Sequence, residues 1–152
     1  MSELAVIDSN VLVALVDHRD VHSLEAEHLL EKMIEKSLDY VIPDCVVNET
    51  FSVVGRRLNA KSGREEIKPV FNKIRSFLKP EKIFWTYLSI QELLSGTIIL
   101  LEEYDGVFNF HDALLALVMK KESLKFILSF DKHFDLFPWI TRIHKPDQLD
   151  SI

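Results

Sequence analysis

The chain has 152 residues, 47% of them hydrophobic and 28% charged, and a formal net charge of −6 at pH 7. This composition predicts one globular domain over residues 1–152. It excludes a membrane span, because no apolar run approaches the ~20 residues that cross a bilayer. The only cysteine, Cys45, excludes a disulfide within the chain. No basic leader precedes the first apolar run, so we expect no signal peptide and a cytoplasmic location.

The first half of the chain alternates between strand-like and helix-like apolar patterns. Residues 4–7 predict a buried strand, residues 11–16 a short helix, and residues 22–36 an amphipathic helix. The apolar face of that amphipathic helix is expected to contain Leu24, Leu29, Leu30, Met33 and Ile34. A second strand is predicted at 40–42 and ends at Pro43. Asp44 then suits the N-cap of a helix that ends at Ser62-Gly63.

The same alternation continues in the second half. A helix is predicted over 65–78, ended by Pro80, and a strand over 82–87. Ser89 is expected to cap a helix that runs to about Tyr104, before a turn at Asp105-Gly106. A further helix at 111–121 and strands at 126–129 and 141–144 complete the pattern. Strands that alternate with helices indicate an α/β domain with a mostly parallel sheet covered on both faces.

Four acidic residues lie where these predicted elements begin or end. They are Asp8, Glu49, Asp112 and Asp131. In an open parallel sheet, ligands bind beyond the carboxyl ends of the strands, and Asp8 and Asp131 both follow predicted strands. Clustered carboxylates repel one another, and a hard cation such as Mg²⁺ or Mn²⁺ relieves that repulsion. Each acid taken alone has an ordinary interpretation as a helix cap or a solvated helix residue.

The basic residues are distributed unevenly. Residues 56–82 contain nine lysines and arginines and three acids, whereas the rest of the chain contains nine basic and twenty-one acidic residues. The overall charge argues against loose binding of nucleic acid, but this segment is suited to a polyanion. Arg56, Arg57 and Lys61 are the candidates for contacting an RNA backbone. The alternative is that they are ordinary cations near the C-terminal end of a helix, where they complement its dipole.

Taken together, these segments resemble a PIN-domain ribonuclease over nearly the whole chain. The resemblance is carried by residues 6–12 (VIDSNVL), by Pro43 with Asn48-Glu49, by residues 111–116 (HDALLA), and by residues 129–134 (SFDKHF). It implies a three-layer α/β/α domain with strand order 3-2-1-4-5. It also implies an endoribonuclease dependent on Mg²⁺ or Mn²⁺, often the VapC-type toxin of a toxin–antitoxin pair. Ser129 is a mild departure, since the family often has Thr at that position.

By this resemblance, Asp8, Glu49, Asp112 and Asp131 form the acidic quartet. We expect Asp8 and Asp112 to bind the metal directly, with Glu49 and Asp131 acting through water or a second ion. Asn10 matches the small polar residue that accompanies the first acid, and we expect it to hold a carboxylate or a metal-bound water. The expected products carry a 5′-phosphate and a 3′-hydroxyl.

The resemblance also implies partners other than RNA. A homodimer and an antitoxin protein are expected. Met33, Phe71 and Phe77 are candidates for an apolar groove that binds a helix, although most such side chains are expected in the core. Two alternatives remain, an RNA maturation or turnover nuclease without an antitoxin, and a catalytically silent binding module. Asp135 is an additional acid near the quartet, and the sequence assigns it no role.

Overall fold

The fold is built on a five-stranded parallel sheet. The structure, a computed structural model, describes residues 4–61 and 67–152. The strands are β1 (Leu4–Ile7), β2 (Asp39–Pro43), β3 (Ile83–Phe84), β4 (Phe126–Leu128) and β5 (Thr141–Ile143). They lie in the order β3-β2-β1-β4-β5, and every neighbouring pair is parallel. The predicted α/β class and strand order are confirmed.

Helices cover both faces of the sheet. They are α1 (Ser9–Val16), α2 (Ser23–Glu35), α3 (Asp44–Lys61), α4 (Ile67–Phe77), α5 (Tyr87–Glu103) and α6 (Phe110–Lys121). Helix α1 packs on α2, α3 and α4, whereas α5 packs on α6. The chain passes from β1 towards β3 and then returns to β4 on the other side of β1. Right-handed crossovers therefore place the two helix groups on opposite faces. No helix within the described ranges is long and apolar enough to span a membrane.

The central strands form the main core. Ala5, Val6 and Ile7 of β1 are almost fully buried, as are Ile127 and Leu128 of β4. A run without polar alternation is what a strand covered on both faces requires, which is why β1 could be recognised from sequence. A second, smaller cluster joins α1, α3 and α4. Its buried members are Val13, Val16, Val54, Leu58 and Ile74.

Two predicted elements differ from the structure in extent. Strand β3 has only two residues instead of the expected 82–87, because α5 begins at Tyr87 rather than after Ser89. The backbone N–H of Thr86 donates to the Asp44 carboxylate (2.9 Å), which also accepts the hydroxyl of Thr86. This contact ends β3 early by turning the chain towards α3. Asp44, predicted as the N-cap, is the first residue of α3, and its carboxylate also accepts the Cys45 N–H (3.0 Å).

The apolar face of α2 is narrower than the sequence predicts. Leu29 and Met33 are buried, but Leu24 and Ile34 are 66% and 71% exposed. Helix α2 packs on α1 and on the 3₁₀ helix Pro146–Ser151, and the edges of its apolar stripe stay in solvent. The turn at Asp105-Gly106 is confirmed by positive φ angles at both residues. The predicted helix break at Ser62-Gly63 lies outside the described residues.

Candidate active site

The register of the sheet brings the first acid beside the end of β4. Ile7 pairs with Leu128, so Asp8 and Ser129 leave neighbouring strands side by side. The Asp8 N–H donates to the Leu128 carbonyl (3.0 Å), and Asp8 Oδ1 accepts the Ser9 N–H (2.7 Å) at the start of α1. The Asp8 side chain is therefore fixed at the carboxyl edge of the sheet, where only 5% of the residue is exposed.

Ser129 connects the first acid to the last one. Its buried hydroxyl donates to Asp8 Oδ2 (2.6 Å) and accepts the Asp131 N–H (3.0 Å). Asn10 Nδ2 donates both to Asp8 Oδ2 (2.8 Å) and to Ser129 Oγ (3.1 Å). Asn10 thus holds the carboxylate, in the position that the sequence predicts for it. Ser129 was not among the predicted site residues, although a polar residue directly after a buried strand and two positions before Asp131 was a usable signal.

Asp112 and Asp131 are each positioned by a local cap. Asp112 is the third residue of α6 and forms a capping box with Asn109, in which each backbone N–H donates to the other side chain (3.0 and 3.2 Å). Asp131 caps the short 3₁₀ helix Lys132–Leu136. Its Oδ1 accepts the His133 N–H (2.9 Å) and lies 3.1 Å from His133 Nδ1. Both carboxylates remain half-buried and reach solvent.

Glu49 lies on the second turn of α3, where it is half-buried. It lines a cleft of about 410 Å³ together with Asn10, Asp131 and Arg57. Such a volume is within the range of about 300–1,000 Å³ that is usual for ligand sites. The cleft opens at the carboxyl edge of the sheet, where the sequence predicts a site.

The acids act on one another electrostatically. Burial raises the pKa of Asp8 to about 7, and the charges of Asp112 and Glu49 add to that rise, although hydrogen bonds from Ser129 and the Ser9 N–H oppose it. Burial likewise raises the pKa of Asp112 to about 6, with Asp131 and Glu49 contributing. Within residues 4–61 and 67–152, no basic side chain forms an ion pair with Asp8, Glu49 or Asp112. Among the described residues, the negative charge of Asp8, Glu49 and Asp112 is therefore not offset by an ion pair.

This donor set suits a hard divalent cation. The side chains described do not place three His, Cys, Asp or Glu groups around one point as a ready-made metal cage. Mg²⁺ does not require such a cage, because it is usually held by one or two carboxylates and keeps several waters. Burial raises the pKa values of Asp8 and Asp112, so a cation bound to these two carboxylates would relieve an electrostatic cost.

The predicted RNA-binding cations have different environments. Arg56 is exposed on α3. Arg57 lines the cleft, but its guanidinium lies 2.7 Å from Asp20 Oδ2 and 3.5 Å from Asp17 Oδ2. Two carboxylates offset most of its charge, so Arg57 is a weaker site for phosphate than its position suggests. The side chain of Lys61 lies outside the described part of the chain.

Asp135 has a structural role that the sequence did not indicate. It forms a two-pronged ion pair with Arg142 of β5, with N···O distances of 2.9 and 2.8 Å. Arg142 also donates to the backbone carbonyl of Ser129 (3.3 Å). The pair fastens the segment after β4 to the edge strand, and Arg142 holds the pKa of Asp135 below its ordinary value. The Asp135 carboxylate thus serves in the ion pair with Arg142.

Solved structures with the same fold include the VapC20 toxin, the VapBC2 complex and the protein PAE2754. VapC20 from Mycobacterium tuberculosis, a toxin that cleaves the sarcin–ricin loop, has a TM-score of 0.67 at 17% identity, covering 91% of this chain and 97% of its own. VapBC2 from Rickettsia felis, bound to promoter DNA, has a TM-score of 0.67 at 15% identity, and the match covers 92% of this chain and 97% of that one. PAE2754 from Pyrobaculum aerophilum has a TM-score of 0.61 at 13% identity, and the match covers 99% of this chain and 91% of that one. At these identities, the likeness establishes the fold.

The comparison of sequences is more specific about the family. No curated protein matches the chain. The family model described as PIN domain matches residues 5–140. That match spans four of the five strands, β1 to β4, and the segments that carry all four acids, in agreement with the placement of Asp8 and Asp131 after the ends of β1 and β4. The chain therefore belongs to the PIN-domain family.

Proposed function

We propose that the chain is a divalent-metal-dependent endoribonuclease that hydrolyses RNA phosphodiester bonds. The observation that carries the proposal is the buried Asp8 carboxylate, whose pKa is raised to about 7 and which faces the charges of Asp112 and Glu49. A fold keeps an uncompensated cluster of this kind where function requires it. Membership of the PIN-domain family and the shared fold with VapC toxins support the same activity.

The proposed roles of the four acids follow from their positions. Asp8 and Asp112 would hold Mg²⁺ or Mn²⁺, which supplies a water of lowered pKa and draws charge from the phosphate oxygens when it is bound. Glu49 and Asp131, which line the cleft, would orient the attacking water and take its proton. Attack at phosphorus breaks the bond to the 3′-oxygen, which takes a proton from solvent. The products are a 5′-phosphate and a 3′-hydroxyl.

Purified protein tests this proposal directly. We expect cleavage of a single-stranded oligoribonucleotide in Mg²⁺ or Mn²⁺, abolished by EDTA and by Asp8→Asn or Asp112→Asn. Asp147→Asn is the matched control, because Asp147 is an exposed acid near the C-terminus. Cleavage that persists in EDTA, or in both site variants, would refute the proposal. A protein that binds RNA without cutting it in either metal would instead support the silent binding module.

Ser129→Ala is expected to lower kcat/KM by about 10–100-fold, as is usual when a group that orients a metal ligand is removed. The change deletes a hydrogen bond to Asp8 and one to the Asp131 N–H, so two acids lose their support. Ser129→Thr keeps the hydroxyl and should retain most of the activity. Initial rates for both variants, with thermal melts to confirm folding, check the expectation. Equal rates for Ser129→Ala and the wild type would contradict it.

We further propose that the ribonuclease is the toxin of a VapBC-type pair. Both the VapC20 toxin and the VapBC2 complex share its fold. Of the predicted groove residues, Met33 is buried in the core and Phe71 packs edge-on against Phe51, so both contribute to packing. A short neighbouring reading frame whose product suppresses cleavage would support the toxin role. Cleavage by a protein whose gene has no such neighbour favours a role in RNA maturation or turnover. The cytoplasmic location stays a prediction.

A homodimer is also proposed, and α5 offers the surface that supports it. Ile90, Leu94 and Ile98 follow at four-residue spacing and are 36–45% exposed, so they form an apolar stripe on the outer face of the helix. Leu94→Glu is expected to convert a dimer to a monomer in sedimentation velocity, because it places a charge at the centre of the stripe. A wild type that sediments as a monomer at tens of micromolar would contradict the homodimer.

A further inference from the structure

The cleft that contains Glu49 and Asp131 has an aromatic wall. The imidazole ring of His22 stacks on the ring of Phe130, with centroids 4.3 Å apart and an interplanar angle of 11°. His22 lies in the loop between α1 and α2, and Phe130 lies between Ser129 and Asp131. Both line the same cleft as the acids, and the side chain of His22 is 45% exposed. The stack therefore presents ring surface to solvent directly beside the candidate site.

Both rings are held by hydrogen bonds to their backbones. The Phe130 N–H donates to Asn10 Oδ1 (3.0 Å), the same side chain that holds Asp8. The His22 N–H donates to Asp20 Oδ1 (3.0 Å). Asp20 Oδ2 accepts a hydrogen bond from Arg57 (2.7 Å), which ties the loop to α3. A wall fixed in this way binds a flat ligand without a large cost in conformational entropy.

The exposure of His22 distinguishes its ring from core packing, whereas Phe130 is partly buried and packs against the main core, so it supports the exposed ring of His22. Phe134, four residues after Phe130, is completely buried, as an aromatic side chain that serves only the core should be. In contrast, His22 is half-exposed, and its neighbour Val21 is 91% exposed at the same cleft. Arg57, an arginine that lines the cleft, is paired with Asp20, so the aromatic wall suits a flat uncharged partner better than a phosphate. The exposed face of a nucleobase meets these requirements.

We propose that His22 and Phe130 form the stacking surface for one unpaired nucleobase of the RNA, next to the scissile phosphate. Unpaired RNA bases commonly stack on aromatic and histidine rings, and such contacts tolerate different bases. The inference rests on the proposed ribonuclease activity and adds a base subsite to it. Arg57 then acts as a positioning residue, since its ion pair with Asp20 holds the loop that carries His22.

The test combines variants of His22 with RNA that lacks one base. The cleavage site is first mapped in a single-stranded oligoribonucleotide, and each nucleotide flanking it is then replaced by an abasic one. For the wild type we expect one flanking position at which base removal lowers kcat/KM by about 10–100-fold. His22→Ala should lower kcat/KM by a similar factor on intact RNA. On that abasic RNA, His22→Ala and the wild type should have the same kcat/KM. His22→Phe keeps a ring and should retain the preference for the base.

His28→Ala is the matched control, because His28 lies exposed on α2, outside the set of cleft-lining residues. It should behave as the wild type on every substrate. His22→Ala is expected to fold normally, since the His22 side chain provides no capping hydrogen bond to α2. The base subsite would be overturned if the losses of kcat/KM caused by His22→Ala and by base removal were additive. It would also be overturned if His22→Phe lost as much kcat/KM as His22→Ala. Neither result would contradict the proposed ribonuclease activity. Absence of metal-dependent cleavage in the wild type would overturn both.

Discussion

Asp8→Asn is expected to lower RNA cleavage by more than about a hundredfold, since it removes a direct metal ligand, and ligand-orienting groups alone account for 10–100-fold. The protein should nevertheless stay folded and melt about 5 °C or more above the wild type at pH 8. The reason is that Asp8 is ionised at that pH in a buried site that raises its pKa. Asparagine is an uncharged near-isostere that removes this cost.

The stability difference should depend on pH in a diagnostic way. At pH 5, the folded wild type still keeps the Asp8 proton, although the unfolded chain has largely lost it, so the variant should exceed the wild type in melting temperature by less than at pH 8. Thermal melts of both proteins at pH 5 and pH 8 in EDTA provide the measurement, and Asp147→Asn again serves as the control. A variant that loses activity and also melts lower at pH 8 would show that Asp8 stabilises the fold as an ion, contrary to the expectation.

The second large effect concerns the wild type without metal. Its stability should fall as the pH rises from 5 to 8. The pKa of Asp8 is about 7 in the folded protein and near its ordinary 3.8 when unfolded. Between these values the folded state keeps a proton that the unfolded state has lost, so stability declines with rising pH. The cost is on the order of 4 kcal/mol above pH 7, and Asp112 acts in the same direction because its pKa is raised to about 6.

A divalent cation should reverse this decline. Mg²⁺ or Mn²⁺ binds the ionised carboxylates of the folded state, so it stabilises by mass action, and more at pH 8 than at pH 5. Melting temperatures of the wild type with and without 10-fold excess metal over its Kd should differ most at pH 8, and the difference should shrink in Asp112→Asn. If metal raised the melting temperature equally at both pH values, or as much in Asp112→Asn as in the wild type, the metal would bind somewhere other than these acids.

Local patterns were sufficient to predict most elements. The apolar run of β1, the start of α3 after Pro43 and the turn at Asp105-Gly106 depend on neighbouring residues, so the sequence contains their determinants. The boundaries of β3 and α5 depend on a contact between Thr86 and Asp44, which are 42 residues apart. No local pattern contains that contact. The exposed edges of the α2 stripe, at Leu24 and Ile34, likewise depend on how many neighbours the helix receives.

For the candidate site, the sequence determined which acids follow which strands, and the family pattern selected four of them. Tertiary structure decided what surrounds those acids. The pairing of Ile7 with Leu128 makes Ser129 a partner of Asp8, and the long-range contact with Arg142 makes Asp135 structural. The loop at His22 reaches Phe130 only when α1, α2 and β4 are assembled. Residue types and their order are properties of the chain, whereas burial, pKa and stacking arise from atoms that only folding brings together.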